Sequence, residues 1–311
     1  MEYIRETTRI QIQAPTVISL GKFDGLHMGH KLLLSQMMHK KQQGLKTVMF
    51  TFDIPPKTLV EREQEGVLTT NAEKEYIFGK TGIDYLIEYP FTDEVRFMEP
   101  EVFVKMLAEK LNVRCIVAGR DFHFGYNRKG NYETLERFAP VYGYETIIVE
   151  KMQYENRDIS SSFIREEIKA GRIVRANMLL GYEYFVRGTV IHGRKLGRRL
   201  GIPTVNLIPP TEKLLPPFGV YVSRVLIDGV SYGGITNVGQ KPTIEGGSPV
   251  GVETHIFDYD EDLYGKEIDV QFLDFLRSEV KFDSVTELQK QMIRDVERGK
   301  VYLSEYMRRD L

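Results

Sequence analysis

The chain has 311 residues, room for two domains at the usual size of about 100–200 residues each, and its 42% hydrophobic content lets each half bury a core. A formal net charge of -2 excludes the basic excess of a general nucleic-acid binder but leaves small anionic ligands open to local basic clusters. The single cysteine, Cys115, allows no internal disulfide and reads as a buried strand residue; with no signal-like start and no apolar run near the roughly 18 residues that span a bilayer, a cytoplasmic protein without nucleic-acid or membrane partners is expected.

The first half alternates strand-like and helix-like segments. Residues 16–20 are a short β-rich run ending at Gly21. A helix is expected over 30–43, with Leu33 and Met37 at helical spacing and Gly44 closing it. Strands are expected at 47–52, 84–88, 115–118 and 146–149. Further helices are expected at 71–81, with Asn71 as N-cap, at 100–111, with Pro100 in its first turn, and at 165–180, rich in basic residues. This alternation predicts a parallel sheet covered by helices. From Tyr184 the pattern changes to short β-rich runs at 184–191, 219–227, 232–238, 252–258 and 267–272, separated by glycine and proline, as in an antiparallel barrel or sandwich. Leu288, Met292 and Val296 predict a helix over 284–298 packed on it, with Asp295 and Glu297 on polar faces. The domain boundary falls near 179–183, giving domains 1–182 and 183–311.

Residues 21–30, Gly-Lys-Phe-Asp-Gly-Leu-His-Met-Gly-His, lie between a buried strand and a helix. Gly21, Gly25 and Gly29 let the backbone pass close to a bulky anion, and the helix start offers free N–H groups and the positive end of its dipole. His27 and His30 add donors that can follow charge building on a phosphorus centre. The lysine and hydroxyl of a P-loop are missing after the last glycine. Two histidines three apart also fit turn residues or metal ligands, but zinc wants more ligands than the neighbourhood supplies. The loop resembles the N-terminal module of bacterial bifunctional riboflavin kinase/FAD synthetases, within the wider class of His-x-Gly-His nucleotidyltransferases; the resemblance extends phosphate binding to Phe23 and Asp24.

Two later segments resemble the same family. The segment 118–125, Ala-Gly-Arg-Asp-Phe-His-Phe-Gly, is similar to one that lines its nucleotide and flavin sites. Asp121 is then expected to orient a ribose or donor, and Phe122 and Phe124 to pack against rings, with a core-anchor role equally open for Phe124. The segment 158–165, Asp-Ile-Ser-Ser-Ser-Phe-Ile-Arg, resembles the family's Ile-Ser-Ser-Thr-x-Ile-Arg motif with Ser162 in place of threonine. Physically it is a helix start, with a serine cap, Glu166 and Glu167 suiting the first turn, and Ser161, Ser162 and Arg165 beside free N–H groups that suit phosphate oxygens.

In the second half Gly193, Gly197 and Gly201 are interleaved with Arg194, Lys195, Arg198 and Arg199, a composition that suits a mobile flap over phosphates. Pro203 stiffens the entry to Thr204 and Asn206, whose oxygens suit Mg2+, a hard ion that keeps few protein ligands beside ATP. The segment 201–206 resembles the riboflavin kinase motif Gly-x-Pro-Thr-Ala-Asn with Val205 for alanine, and 237–243, beginning at Asn237, resembles the family's Asn-x-Gly-x-x-Pro-Thr. The strand 252–257 resembles the one that carries its catalytic glutamate, here Glu253; on pattern alone Glu253 reads as an exposed strand residue sharing a face with His255 and Phe257. A base at this place has a chemical reason, because a ribityl hydroxyl is a poor nucleophile.

The resemblance covers nearly the whole chain in order. It implies a Rossmann-like α/β nucleotidyltransferase domain with a parallel sheet, followed by an antiparallel Greek-key β-barrel with a C-terminal helix. It also implies two reactions: riboflavin and ATP to FMN and ADP in the barrel, then FMN and ATP to FAD and diphosphate in the first domain, with Mg2+ serving both. Three rivals stand beside it. A nucleotidyltransferase for another acceptor conflicts with the second motif set. A non-catalytic flavin sensor conflicts with the presence of Thr204, Asn206 and Glu253. An RNA-binding or aminoacylation-related protein lacks a Lys-Met-Ser-Lys-Ser-like loop and a basic surface.

Overall fold

The computed structural model describes residues 1–53, 66–193, 196–240 and 250–309. The chain divides into two compact units, Met1–Ser161 and Ser162–Leu311.

The first unit is built on one sheet of β1 (Glu2–Arg5), β2 (Thr16–Leu20), β3 (Lys46–Phe52), β4 (Tyr85–Tyr89), β5 (Val113–Gly119) and β6 (Glu145–Val149). All its pairings are parallel and the spatial order is β1-β4-β3-β2-β5-β6. Setting aside the edge strand β1, this is the doubly wound order: the chain leaves β2 to one side and returns to the other at β5. Its described residues also form the α-helices α1 (Met28–Gln42), α2 (Asn71–Gly79), α3 (Asp93–Arg96), α4 (Pro100–Leu111) and α5 (Tyr132–Tyr142). Strand alternation splits the core in two. Val17, Met49, Leu86 and Cys115 pack with Leu33 and Met37 of α1 and Phe78 of α2, while Ile18, Phe50, Ile87 and Ile116 pack with Phe103 and Leu107 of α4 and Leu135 of α5. With both faces covered, every residue of β2 is buried, which is why it reads as a continuous run. A short hairpin of β7 (Gln153–Tyr154) and β8 (Arg157–Asp158) completes the unit.

Four local details depart from the sequence expectation. The strand β1 was not foreseen, because its polar flanks hide a pairing with β4 that only the tertiary register supplies. The N-cap of α2 is Thr70 rather than Asn71: its hydroxyl accepts from Glu73 N at 3.2 Å, and the Glu73 carboxylate accepts from Thr70 N at 2.9 Å, a closed capping box. The helix expected over 165–180 is two helices, α6 (Ser161–Lys169) and α7 (Ile173–Leu180), broken where Gly171 takes a left-handed φ of 73°. Because α6 begins at Ser161, neither Glu166 nor Glu167 lies in its first turn; Glu167 is instead buried and takes the Arg172 guanidinium at 2.5 and 2.9 Å.

Among the described residues the second unit holds six antiparallel strands: β9 (Phe185–Thr189), β10 (Val205–Leu207), β11 (Gly219–Ile227), β12 (Val230–Gln240), β13 (Val250–Ile256) and β14 (Glu267–Ser278), in the order β10-β13-β12-β11-β14-β9. Three consecutive hairpin strands, β11 to β13, are followed by β14 returning beside β11, which is the Greek-key arrangement. Ile191, just past β9, bridges Asn206 of β10, so the two outer strands meet and the sheet curls toward a barrel. The short helix α8 (Leu196–Arg199) precedes β10, and the long helix α9 (Val285–Arg309) follows β14. Val296 and Leu303 of α9 pack over Val220, Val222, Ile235, Phe257 and Leu273. Asp295 is not on a polar face as expected: it is buried, 2% exposed, with Arg277 Nε at 3.0 and 3.1 Å from its two oxygens. Helix α7 docks through Asn177, which donates to Phe272 O and accepts from Tyr184 N, both at 2.8 Å.

Candidate active sites

In a doubly wound sheet the crevice opens outside the carboxyl ends of the strands where the winding reverses, here β2 and β5. The segments leaving those two strands are residues 21–30 and 120–130, the two picked out by their residue types. Gly21 N extends the sheet by bonding Phe50 O at 3.1 Å. Phe23 then takes a left-handed φ of 48°, unusual for a bulky residue, and turns its buried ring edge-on to His30 at 5.3 Å between centroids. Asp24 is buried and accepts from Thr69 N at 2.9 Å and Thr69 Oγ1 at 3.3 Å, while Gly25 N donates to Thr69 Oγ1 at 3.1 Å. Ser161 Oγ donates to the Asp24 carbonyl at 2.8 Å. The loop is thus stapled from two sides before any ligand arrives. Thr69 was missed by sequence reasoning; its one signal was a Thr-Thr-Asn run before a helix.

Helix α1 begins at Met28 rather than His30, so His27 occupies its N-cap position without bonding a backbone N–H through its side chain. Its ring instead stacks on His30, 3.7 Å between centroids and 19° between planes. A Cβ on Gly29 would approach the His27 ring at 3.1 Å, so a larger residue there would disturb the pair. Nδ1 of each histidine is buried and bonds nothing among the described residues. Burial lowers His27 to about 4 and holds His30 well below its ordinary value, with His27 as a second, smaller cause. Both rings are therefore neutral near pH 7, each with a donor or acceptor to offer at the open end of a helix dipole.

Across the crevice, Asp121 is exposed and pairs with Lys151 at 3.2 Å. Phe122 is half-buried and stacks on Phe124 at 5.5 Å. Phe124 is a core residue, 7% exposed, with its backbone exchanging 2.9 Å bonds with Gly130 and its ring against Phe103. Phe124 thus underlies Phe122, the outer ring of the two. Ser162 is exposed and Arg165 half-buried, the latter one turn beyond the start of α6.

In the second unit three neighbouring strands set a row of polar side chains. The register places Asn206 of β10 opposite Glu253 of β13, and Glu253 opposite Asn237 of β12. Thr204 Oγ1 donates to Glu253 Oε1 at 2.5 Å. Asn206 is 5% exposed and lies against Gly193, where a Cβ would come 3.0 Å from Oδ1. His255, on the Glu253 face, bonds Pro203 O through Nδ1 at 2.8 Å, and burial lowers its pKa. Thr254 and Ile256 face the other way and are buried, but Phe257 is also buried, because α9 covers the end of that face. A small cavity beside the row is lined by Gly193, Arg198, Pro203, Thr204, Asn206 and Tyr264. Of the expected flap, Arg194 and Lys195 lie outside the described residues, as do residues 241–243 of the Asn237 motif; Gly197 lies in α8 and Gly201 just beyond it. Among the described residues no group of three or more His, Cys, Asp or Glu side chains could hold a metal ion.

A phosphate-type loop at the switch point of an α/β sheet, joined to a barrel with a carboxylate in a polar row, defines a two-part transferase. Residues 9–163 match the FAD synthetase family model and residues 180–303 match the riboflavin kinase model. The bifunctional riboflavin kinase/FMN adenylyltransferases of Listeria monocytogenes and Bacillus subtilis are each 33% identical, over 93% and 94% of this chain and 92% and 94% of theirs; that of Escherichia coli is 31% identical over 91% and 92%. A crystal structure from Streptococcus pneumoniae described as a macrolide-efflux protein is 32% identical, with a TM-score of 0.84 over 96% of this chain and 98% of that one. No described helix of the present chain is long and apolar enough to cross a membrane. The chain belongs to the bifunctional riboflavin kinase/FMN adenylyltransferase family.

Proposed function

We propose that the two candidate sites divide two consecutive reactions, with Glu253 carrying the first and the stacked His27–His30 pair the second. The chain phosphorylates riboflavin with ATP to FMN and ADP, then adenylylates FMN with a second ATP to FAD and diphosphate. The observation that carries the division is the contrast in residue chemistry. The second unit presents a carboxylate in register between two asparagines, suited to taking a proton from a neutral ribityl hydroxyl. The first presents neutral imidazoles and glycine backbone at a helix start, suited to charge on the α-phosphate and departing diphosphate. FMN brings its own anionic nucleophile and needs no base.

Within the first site, Gly21, Gly25 and Gly29 shape the passage for ATP phosphates, Phe23 supports His30, and Asp24 holds the turn through Thr69. Ser161 holds the loop through the Asp24 carbonyl, and Ser162 and Arg165 carry the hydroxyl and guanidinium that the resemblance assigns to phosphate. Asp121 and Phe122 meet the flavin nucleotide, with Phe124 beneath. In the second site Gly193, Gly197 and Gly201 border the phosphates and Asn237 the flavin. Thr204 and Asn206 are neutral oxygen donors beside one carboxylate, a set that fits Mg2+ when phosphate oxygens supply the remaining ligands and charge. The ion when bound neutralises phosphate charge. We place the functional boundary at 182/183, with α6 and α7 serving FMN adenylylation; the span 164–179, between the two matched segments, supports a linker role as well. A cytoplasmic setting suits the one thiol, Cys115, which burial raises to about 12.

Chromatography resolving FMN from FAD tests the division. Glu253→Gln should abolish FMN formation and leave FMN-to-FAD conversion intact, and His30→Ala should do the reverse. Loss of both steps in either folded variant would refute separate sites.

A further inference from the structure

The last helix reaches the kinase site from outside the polar row. Gln289 of α9, half-buried, donates its Nε2 to the carbonyl of Leu200 at 2.9 Å. Leu200 closes the tight turn after α8, in which Gly197 O accepts from Leu200 N at 3.0 Å and from Ile202 N at 2.8 Å, and Arg198 O accepts from Gly201 N at 3.3 Å. That turn carries Arg198 into the wall of the cavity that also contains Thr204 and Asn206. Nothing in the family-like motifs includes residue 289, and α9 otherwise serves the core through Val296, Leu303 and Asp295.

We propose that Gln289 is a positioning residue for the riboflavin kinase step: through the Leu200 carbonyl it fixes the turn that holds Arg198 toward the phosphates of the kinase ATP. This rests on the assignment of the Thr204–Asn206 cavity to that ATP. A guanidinium gains most from phosphate when its backbone is already held, because less freedom is lost on binding. One neutral hydrogen bond supports an effect of about 2–10-fold on ATP binding. The effect falls on the ground state, since Gln289 touches no reacting atom.

The experiment is steady-state kinetics of both steps on the full chain. Gln289→Met keeps length and packing but removes the donor; Gln289→Glu turns an oxygen toward the carbonyl. The kinase KM for ATP should rise by about 2–10-fold in the first and further in the second, with kcat within twofold. ATP kinetics of FMN adenylylation should be unchanged, and an unaltered melting transition of the second unit shows that the variants are folded. Arg198→Ala should raise the same KM, and adding Gln289→Met to it should change little more. An unchanged KM in Gln289→Met, or full additivity in the double variant, overturns the inference. Should the unaltered chain form no FMN, the function itself is wrong; should it form FMN while Gln289 variants match it, only the role of Gln289 fails.

Discussion

His27 and His30 illustrate how far a residue pattern speaks and where it stops. The spacing of two imidazoles beside three glycines pointed to phosphate, but the ring stack and the buried, unbonded Nδ1 atoms come from the turn that Phe23 and Thr69 impose. Those rings also have a cost in acid. An unfolded histidine titrates near pH 6.5, whereas His27 in the fold has fallen to about 4. Between those values the unfolded chain binds more protons than the folded one, so stability should fall as pH drops from about 6.5 toward 4 and stay flat above it. Thermal unfolding between pH 7.5 and 5 should show that fall, and replacing both histidines by glutamine should reduce it, leaving the contribution of the half-buried His255. An equally steep fall in the double variant would place the acid sensitivity elsewhere. The Arg277–Asp295 pair offers a second test. Asp295→Ala leaves a guanidinium unpaired in a mostly buried setting and should cost about 3–5 kcal/mol in chemical unfolding of the second unit. Arg277→Met with Asp295→Leu should recover most of it, because an apolar pair meets no unpaired charge; no recovery would assign the loss to packing around α9.

The strands of the two sheets were largely legible as elements because their periods are set locally. β2 reads as a buried run, and β11 was bounded at its observed ends. What was not legible depends on partners. The four-residue β1 is a strand only because β4 offers an edge. The break at Gly171 was hidden by helix formers on both sides, and α9 runs on to Arg309, well past the expected end. The Thr204–Glu253 bond and the Asn206–Glu253–Asn237 row depend on register between distant segments, which no local spacing encodes. Helix α7 matters here because the proposed functional boundary at 182/183 and the compact-unit boundary at 161/162 assign it differently. Its Asn177 clamps Tyr184 N and Phe272 O, and Ile173, Ala176, Leu179 and Leu180 are buried. A fragment starting at residue 183 should therefore melt below one starting at residue 162. Equal melting points would show that α7 contributes nothing to the barrel and would favour the later boundary.

At the scale of the whole molecule, each unit has its own sheet, core and candidate site, and the product of one reaction is the acceptor of the other. Two defective chains should then complement each other. If Glu253 and His30 carry the two steps as proposed, Glu253→Gln chains make no FMN and His30→Ala chains do not use it, and a mixture with riboflavin and Mg-ATP should accumulate FAD through released FMN. A mixture that yields FMN and no FAD would mean that FMN does not pass between chains. The strand order adds a consequence in time. β9 opens the barrel but pairs with β14, Phe185 against Gln271, and α9 comes later still. On the ribosome the first unit's sheet is complete once β6 has emerged, while the barrel waits, unpaired along one edge, until β14 has followed. Translation that stops within the final helix should release a polypeptide that still handles ready-made FMN and makes none.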